Sequence, residues 1–120
     1  MPWRLQVVRS AEGTAPADAA GYWTARLEVA GSLEVAEVGA VLASLSELVA
    51  EQAVTVLTCD ARGLVREDLG TVDALARLQV AARRLGCPLV LCGVSHDLRG
   101  LIALLGLAKY LPEIGHGSDL

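Results

Sequence analysis

Two stretches constrain this chain more than any other feature, "VTVLTC" (54–59) and "PLVLCG" (88–93). Both are short and apolar with little polar alternation, as inner strands covered on both faces should be. Between and around them the period changes to that of helices. Apolar strands alternating with helices build a mostly parallel central sheet, because parallel neighbours need a long crossover and a helix supplies it. Right-handed crossovers then set successive strands side by side. Val54, Val56, Val90 and Leu91 are accordingly expected to be almost fully buried.

The remaining segments fit this α/β plan. "WRLQVV" (3–8) reads as a first strand, and "SAEGTAPADAAG" (10–21) as a loop or mobile connection. "YWTARLEVAG" alternates, with Trp23, Ala25, Leu27 and Val29 on one face and Thr24, Arg26 and Glu28 on the other. Such a strand has one solvated side, which places it toward an edge of the sheet. After Gly31, a helical stripe runs through Val38, Val41, Leu42, Leu45, Leu48 and Val49, with Ser44, Ser46, Glu47 and Glu51 mostly turned away. Leu75, Leu78, Ala82 and Leu85 mark a second helix. Pro88 is tolerated at the first position of the strand that follows. Ser95 is placed to cap a third helix through Leu98, Leu101, Ile102 and Leu105, closed by Gly106. "KYLPEI" (109–114) is expected as a short last strand or extended tail. The order is β-β-α-β-α-β-α-β, divided into a strand and loop over 1–21, a folded domain over 22–114 and a flexible tail over 115–120.

Composition narrows the function. Of 120 residues 53% are hydrophobic and 20% charged, with formal charge -4. A folded domain follows, and a nucleic-acid binder does not, since only Arg83 and Arg84 stand together and no basic patch forms. No apolar run reaches the ~18 residues of a membrane span, and "MPWRLQVVRS" lacks a signal-peptide core, so the expected location is cytoplasmic. Cys59, Cys87 and Cys92 read as buried or near-buried thiols of a reducing compartment. Cys87 and Cys92 bracket one strand and cannot easily close on one ion with His96, so no metal is expected. Single glycines in "ARG" and "DLG" make no phosphate-binding loop, and no cofactor is expected. Asp60, Glu67, Asp68 and Asp73 offer carboxylates near a sheet's carboxyl edge. However, His96 sits in a helix's first turn, His116 in the tail, and Cys59 lacks a basic partner. No catalytic constellation emerges.

The informative stretch is "LVREDLGTVDALARL" (64–78), where a loop hands over to the second helix. Asp68 or Thr71 suits an N-cap, with Asp73 adding first-turn acid. Leu64, Val65 and Leu69 are apolar residues in a polar loop rimmed by Arg62, Arg66, Glu67 and Asp68. They form either an exposed docking centre or a plug tucked beneath the loop.

The ordered pieces resemble the STAS family, the sulfate-transporter and anti-sigma-factor-antagonist domains. "TARLEVAGSLEVAEVGAVLASLSEL" is similar to its strand, turn and first helix. "VLTCDARGL" is similar to its central strand, which ends in an Asp and then reaches a Gly. "ARLQVAARRLGCPLVLCG" and "HDLRGLIALLGLAKYLP" resemble its later elements, and the likeness covers roughly residues 24–114. The resemblance implies a STAS-like fold and a non-enzymatic module that docks on an anti-sigma factor or kinase-like protein. Alternatively it implies the STAS subunit of a lipid-trafficking complex contacting an ABC ATPase subunit, with a homodimer or scaffold as a further option. The family carries D-S-S-G or D-T-S-G at the start of its second helix, and the second hydroxyl residue is phosphorylated. Here the slot reads Asp68-Leu69-Gly70-Thr71: Asp68 matches, Leu69 replaces the first hydroxyl, Gly70 stands at the phosphoacceptor and Thr71 at the Gly. Glycine accepts no phosphate. Thr71 could take over the role, although Glu67, Asp68 and Asp73 would repel the added charge. The implied docking residues are Arg62, Glu67, Asp68, Leu69, Gly70 and Thr71.

Overall fold

The structure is a computed structural model that describes residues 3–9 and 23–114. The connection expected over 10–21 and the tail expected over 115–120 lie outside the described residues. The elements are β1 (Trp3–Arg9), β2 (Trp23–Val29), α1 (Val35–Glu51), β3 (Val54–Asp60), α2 (Leu69–Arg84), β4 (Leu89–Cys92) and α3 (His96–Leu104). The strands lie in the order β1-β2-β3-β4. β1 runs antiparallel to β2, while β2–β3 and β3–β4 are parallel. The sheet is therefore mostly parallel, as the strand–helix alternation requires.

Two expectations need correction. β2 is an interior strand and not an edge, since β1 pairs along its whole length. Its alternation records one uncovered face of the sheet. β3 and β4, in turn, are not apolar and buried along both faces, although Thr58 and Asp60 on the second face of β3 are buried at 6% and 8% exposure. Val54 and Leu91 are buried, at 5% and 0% exposure, but Val56 and Val90 are only half-buried. The reason is topological. β2, β3 and β4 advance in one direction across the sheet, so right-handed crossovers put α1 and α2 on the same face. The core accordingly gathers Ala25, Leu27, Val29, Leu57, Cys59, Leu89 and Leu91 against Val41, Leu45, Leu75, Leu78 and Leu98. Val54 reaches this core because the β2–β3 register shifts at Trp23/Thr24 and leaves Thr55 as an extra, exposed residue.

The final strand shrinks to one bridge, Leu91 with Glu113. Pro112 removes a donor where a strand would need one, yet its carbonyl accepts from the Leu91 N–H at 2.8 Å, and Ile114 donates to the Leu91 carbonyl at 2.9 Å. Two residues earlier in β4, at Leu89, Gln79 on α2 plays the same part with its side chain. It is fully buried. Its amide donates to the Leu89 carbonyl at 3.0 Å and accepts from the Leu89 N–H at 2.8 Å, and it also donates to the Tyr110 carbonyl at 2.8 Å. The outer edge of β4 is thus occupied by a side-chain amide and a short piece of chain.

Candidate functional site

The carboxyl edge of the sheet carries two loops, one from β2 to α1 and one from β3 to α2, and hydrogen bonds stitch them together. Gly31 adopts φ 87°, a left-handed conformation that glycine takes freely. Its N–H donates to the Gly63 carbonyl at 2.8 Å, and its own carbonyl accepts from Val65 at 2.7 Å and Arg66 at 3.0 Å. A Cβ on Gly63 would lie 2.2 Å from the Val29 carbonyl oxygen, so the close approach demands glycine there too.

Asp60, at the end of β3, anchors the second loop. Its side chain, only 10% exposed, accepts from Arg26 Nη2 at 2.6 Å and from Arg62 Nη2 at 2.8 Å. It also accepts from Arg62 Nε at 3.1 Å and from the Arg62 backbone N–H at 3.0 Å. Hydrogen bonding from the Arg62 side chain, against the opposing pull of burial, holds the carboxyl at about 2. Arg62 itself stays exposed at the mouth of the loop.

The helix start follows from its residues. Asp68 is the N-cap, accepting from the Thr71 N–H at 3.1 Å, while Thr71 Oγ1 accepts from the Asp68 N–H at 3.3 Å. This reciprocal box satisfies two of the donors that a helix start leaves open. The Thr71 hydroxyl also donates to the Arg66 carbonyl at 3.0 Å, and the residue is 1% exposed. Asp73 does not add first-turn acid: the helix begins at Leu69, which puts Asp73 beyond the first turn and into an i,i+4 pair with Arg77 at 2.8 Å.

The residues singled out in the sequence divide into two groups. Arg62, Asp68, Leu69 and Gly70 are exposed, whereas Thr71 is buried and Glu67 half-buried. Glu67 turns away from the rim, and both carboxylate oxygens accept from Ser95 Oγ at 2.9 Å. Ser95 caps α3 as expected, accepting from the Leu98 N–H at 3.0 Å, so Glu67 ties the loop to a second helix start. The apolar trio also divides. Leu64 closes the core at 9% exposure, but Val65 and Leu69 stand out at 85% and 61%. Nothing in a helical or strand period distinguishes these three. The sequence reading missed α1's contribution. A cleft of about 240 Å³ lies between the two helix starts, lined by Leu33, Glu34, Val35, Arg66, Asp68, Gly70 and Thr71. Val35, partly exposed, adds a third apolar group to its surroundings. The glycines that stitch the loops were the available signal. A larger hollow of about 410 Å³, beside Trp3, Arg4, Glu28 and Asp60, contains none of the six candidate residues.

Two of the cysteines are poorly placed to act as nucleophiles. Burial pushes the Cys59 thiol up to about 12 and the Cys87 thiol to about 11, leaving both protonated near neutral pH. Among the described residues no group of three or more His, Cys, Asp and Glu side chains is arranged to hold a metal ion.

Comparison with known proteins gives a family and a fold. The family described as "Mlab, STAS domain" matches residues 20–113. Among solved structures, RsbS of Moorella thermoacetica, in a Ser-to-Glu variant, superposes with a TM-score of 0.59 at 19% identity, covering 92% of this chain and 85% of its own. The anti-sigma factor antagonist SpoIIAA, in its unphosphorylated form, superposes with a TM-score of 0.54 at 21% identity, covering 80% of this chain and 84% of its own. No curated protein matches the chain significantly by sequence.

Proposed function

The chain belongs to the STAS domain family, and from that premise we propose that it is a non-enzymatic protein-docking module of the anti-sigma-factor-antagonist kind, working in the cytoplasm. Its partner is an anti-sigma factor or kinase-like protein, met at the start of α2. The observation that carries this reading is the exposure of Val65 (85%) and Leu69 (61%) beside the cleft between the helix starts. Exposed apolar groups with a charged rim, here Arg62, Arg66 and Asp68, fit a protein interface better than solvent.

The module works without the phosphate switch of its family. Gly70 holds the acceptor slot and has no hydroxyl. Thr71 is 1% exposed and its hydroxyl is committed to Arg66 and Asp68, so a kinase would have to unwind the helix start to reach it. Gly70, by contrast, is exposed, and a Cβ there would meet only Asp68 Oδ1, at 3.3 Å.

Two measurements test these statements. Val65→Ser with Leu69→Ser should weaken binding to the anti-sigma partner by about 30-fold or more if the pair is a hot spot, with circular dichroism unchanged. Equal binding by the double variant, or capture of an ABC-type ATPase in place of an anti-sigma protein, would overturn the assignment. In the second, intact mass after incubation with the partner kinase and ATP should show no phosphate on the wild type and one on Gly70→Ser. A phosphate on the wild type that T71A abolishes would show that Thr71 does act as the acceptor.

A further inference from the structure

The two edges of the sheet are treated differently. At the β4 edge, the outward N–H and C=O of Leu89 are taken by the Gln79 amide, and those of Leu91 by Pro112 and Ile114. At the other edge no described strand pairs with the outer side of β1.

The hydrogen-bond phase shows which groups of β1 point outward. Leu57 donates to the Pro88 carbonyl and Ala61 to the Cys92 carbonyl, so odd-numbered residues of β3 bond toward β4 and even-numbered ones toward β2. With Thr58 in register with Arg26, the residues of β2 that bond β3 are Ala25 and Leu27. Thr24, Arg26 and Glu28 therefore bond β1, through Val8, Gln6 and Arg4. That leaves the N–H and C=O groups of Trp3, Leu5 and Val7 directed away from the sheet. Their side chains lie on the helix-covered face and are only half-buried, packed against the core from one side.

We propose that β1 is a self-complementary edge and that its occupant is a second copy of this chain, paired antiparallel about a two-fold axis through Leu5. Leu5 then faces its own copy, and Trp3 faces Val7 on either side of the axis. All three are hydrogen-bonded pairs, and each of the pairs across the ladder exchanges two bonds. The side-chain match is favourable. An aromatic meets a β-branched residue twice, and the half-buried apolar row gains its own image as cover. On the opposite face Arg4 meets Gln6 and never another Arg4, so no like charges are opposed. The β1–β2 register is unbroken by a bulge, and the strand contains no proline. A bulge and a proline are devices by which monomeric proteins blunt an exposed edge, and β1 has neither. The dimer carries one eight-stranded sheet with the helices of both copies on the same side.

The test is sedimentation equilibrium of the full chain over a wide concentration range, with residue-resolved amide exchange at both ends of it. The expected result is a reversible dimer of 25 kDa, twice the 12.5 kDa chain. The Leu5 and Val7 amides should be protected in concentrated samples and lose that protection on dilution, while the Gln6 and Val8 amides stay protected throughout. Leu5→Pro removes an outward donor and no bond to β2. It deletes two symmetric hydrogen bonds and should weaken the dimer about 30-fold. Leu5→Lys, which opposes two ammonium groups at the axis, is the second variant should the proline disturb folding. A chain that stays monomeric at near-millimolar concentration overturns the proposal. So does a dimer with freely exchanging Leu5 and Val7 amides, or protection of those amides in the monomer.

Discussion

Replacing Asp60 by Asn isolates the charge at the end of β3 while keeping the shape of the side chain. Asp60 is held at about 2 instead of the usual 3.8, and at about 1.4 kcal/mol per tenfold this corresponds to roughly 2 kcal/mol. The largest favourable cause is the Arg62 side-chain hydrogen bond, and Arg62 is 70% exposed. Water and salt screen that bond, so about 1–2 kcal/mol is the expected contribution. Its sign follows from linkage. The folded state keeps Asp60 ionised to lower pH than the unfolded state does, so the contribution is complete above about pH 4 and fades as pH falls toward 2. Urea melts of wild type and D60N at pH 7 should therefore differ by about 1–2 kcal/mol, a few degrees in melting temperature for a domain of this size. Near pH 2 the curves should converge. Subtracting the two profiles removes the titration of the other carboxylates. A difference constant from pH 7 to pH 2 would show that the variant loses packing or geometry and not charge, and the electrostatic account of Asp60 would fail.

Two further predictions concern the fold. Gln79→Ala should cost about 3 kcal/mol in chemical denaturation, because it strips the buried Leu89 N–H and two carbonyls of their partner; a cost below about 1 kcal/mol would mean that water replaces the amide. Leu57→Asp, at a fully buried position, should abolish cooperative unfolding. Val56→Asp, on the half-buried face, should cost only about 1–2 kcal/mol, and equal losses at the two positions would mean that both faces are covered.

Periodicity carried most of the fold. The alternation of Trp23, Ala25, Leu27 and Val29 and the stripe from Val38 to Leu45 reveal their buried faces because polar residues mark the other side. β3 gives no such contrast: Val56 looks as apolar as Leu57, although one sits on the open face and the other in the core. The strand order with right-handed crossovers held that information, and the side-chain pattern did not. Pro112 was readable as a flaw in the closing strand. The inward turn of Glu67 was not, since its partner Ser95 stands 28 residues away. The same limit applies to the candidate site. The Asp68–Thr71 cap is local and was legible, but Val35 reaches the cleft only through the folding of α1 beside α2. Gln79, buried with three hydrogen bonds, looks in sequence like an ordinary polar residue of a helix.

If the proposed docking role holds, the stitch between Gly31 and Gly63 bears on how tightly a partner is held. A loop that samples many shapes must surrender that freedom on association, at about 0.5–1.5 kcal/mol for each side chain immobilised and more for backbone. Here the Val65 and Arg66 amides are already committed to the Gly31 carbonyl, and Glu67 is moored to Ser95. The apolar tips of Val65 and Leu69 are thus presented on a backbone fixed before any encounter. On the proposed docking role, recognition would be retuned by changing those two tips alone, because the hydrogen bonds of the frame that aims them are made by backbone groups and by Glu67 and Ser95.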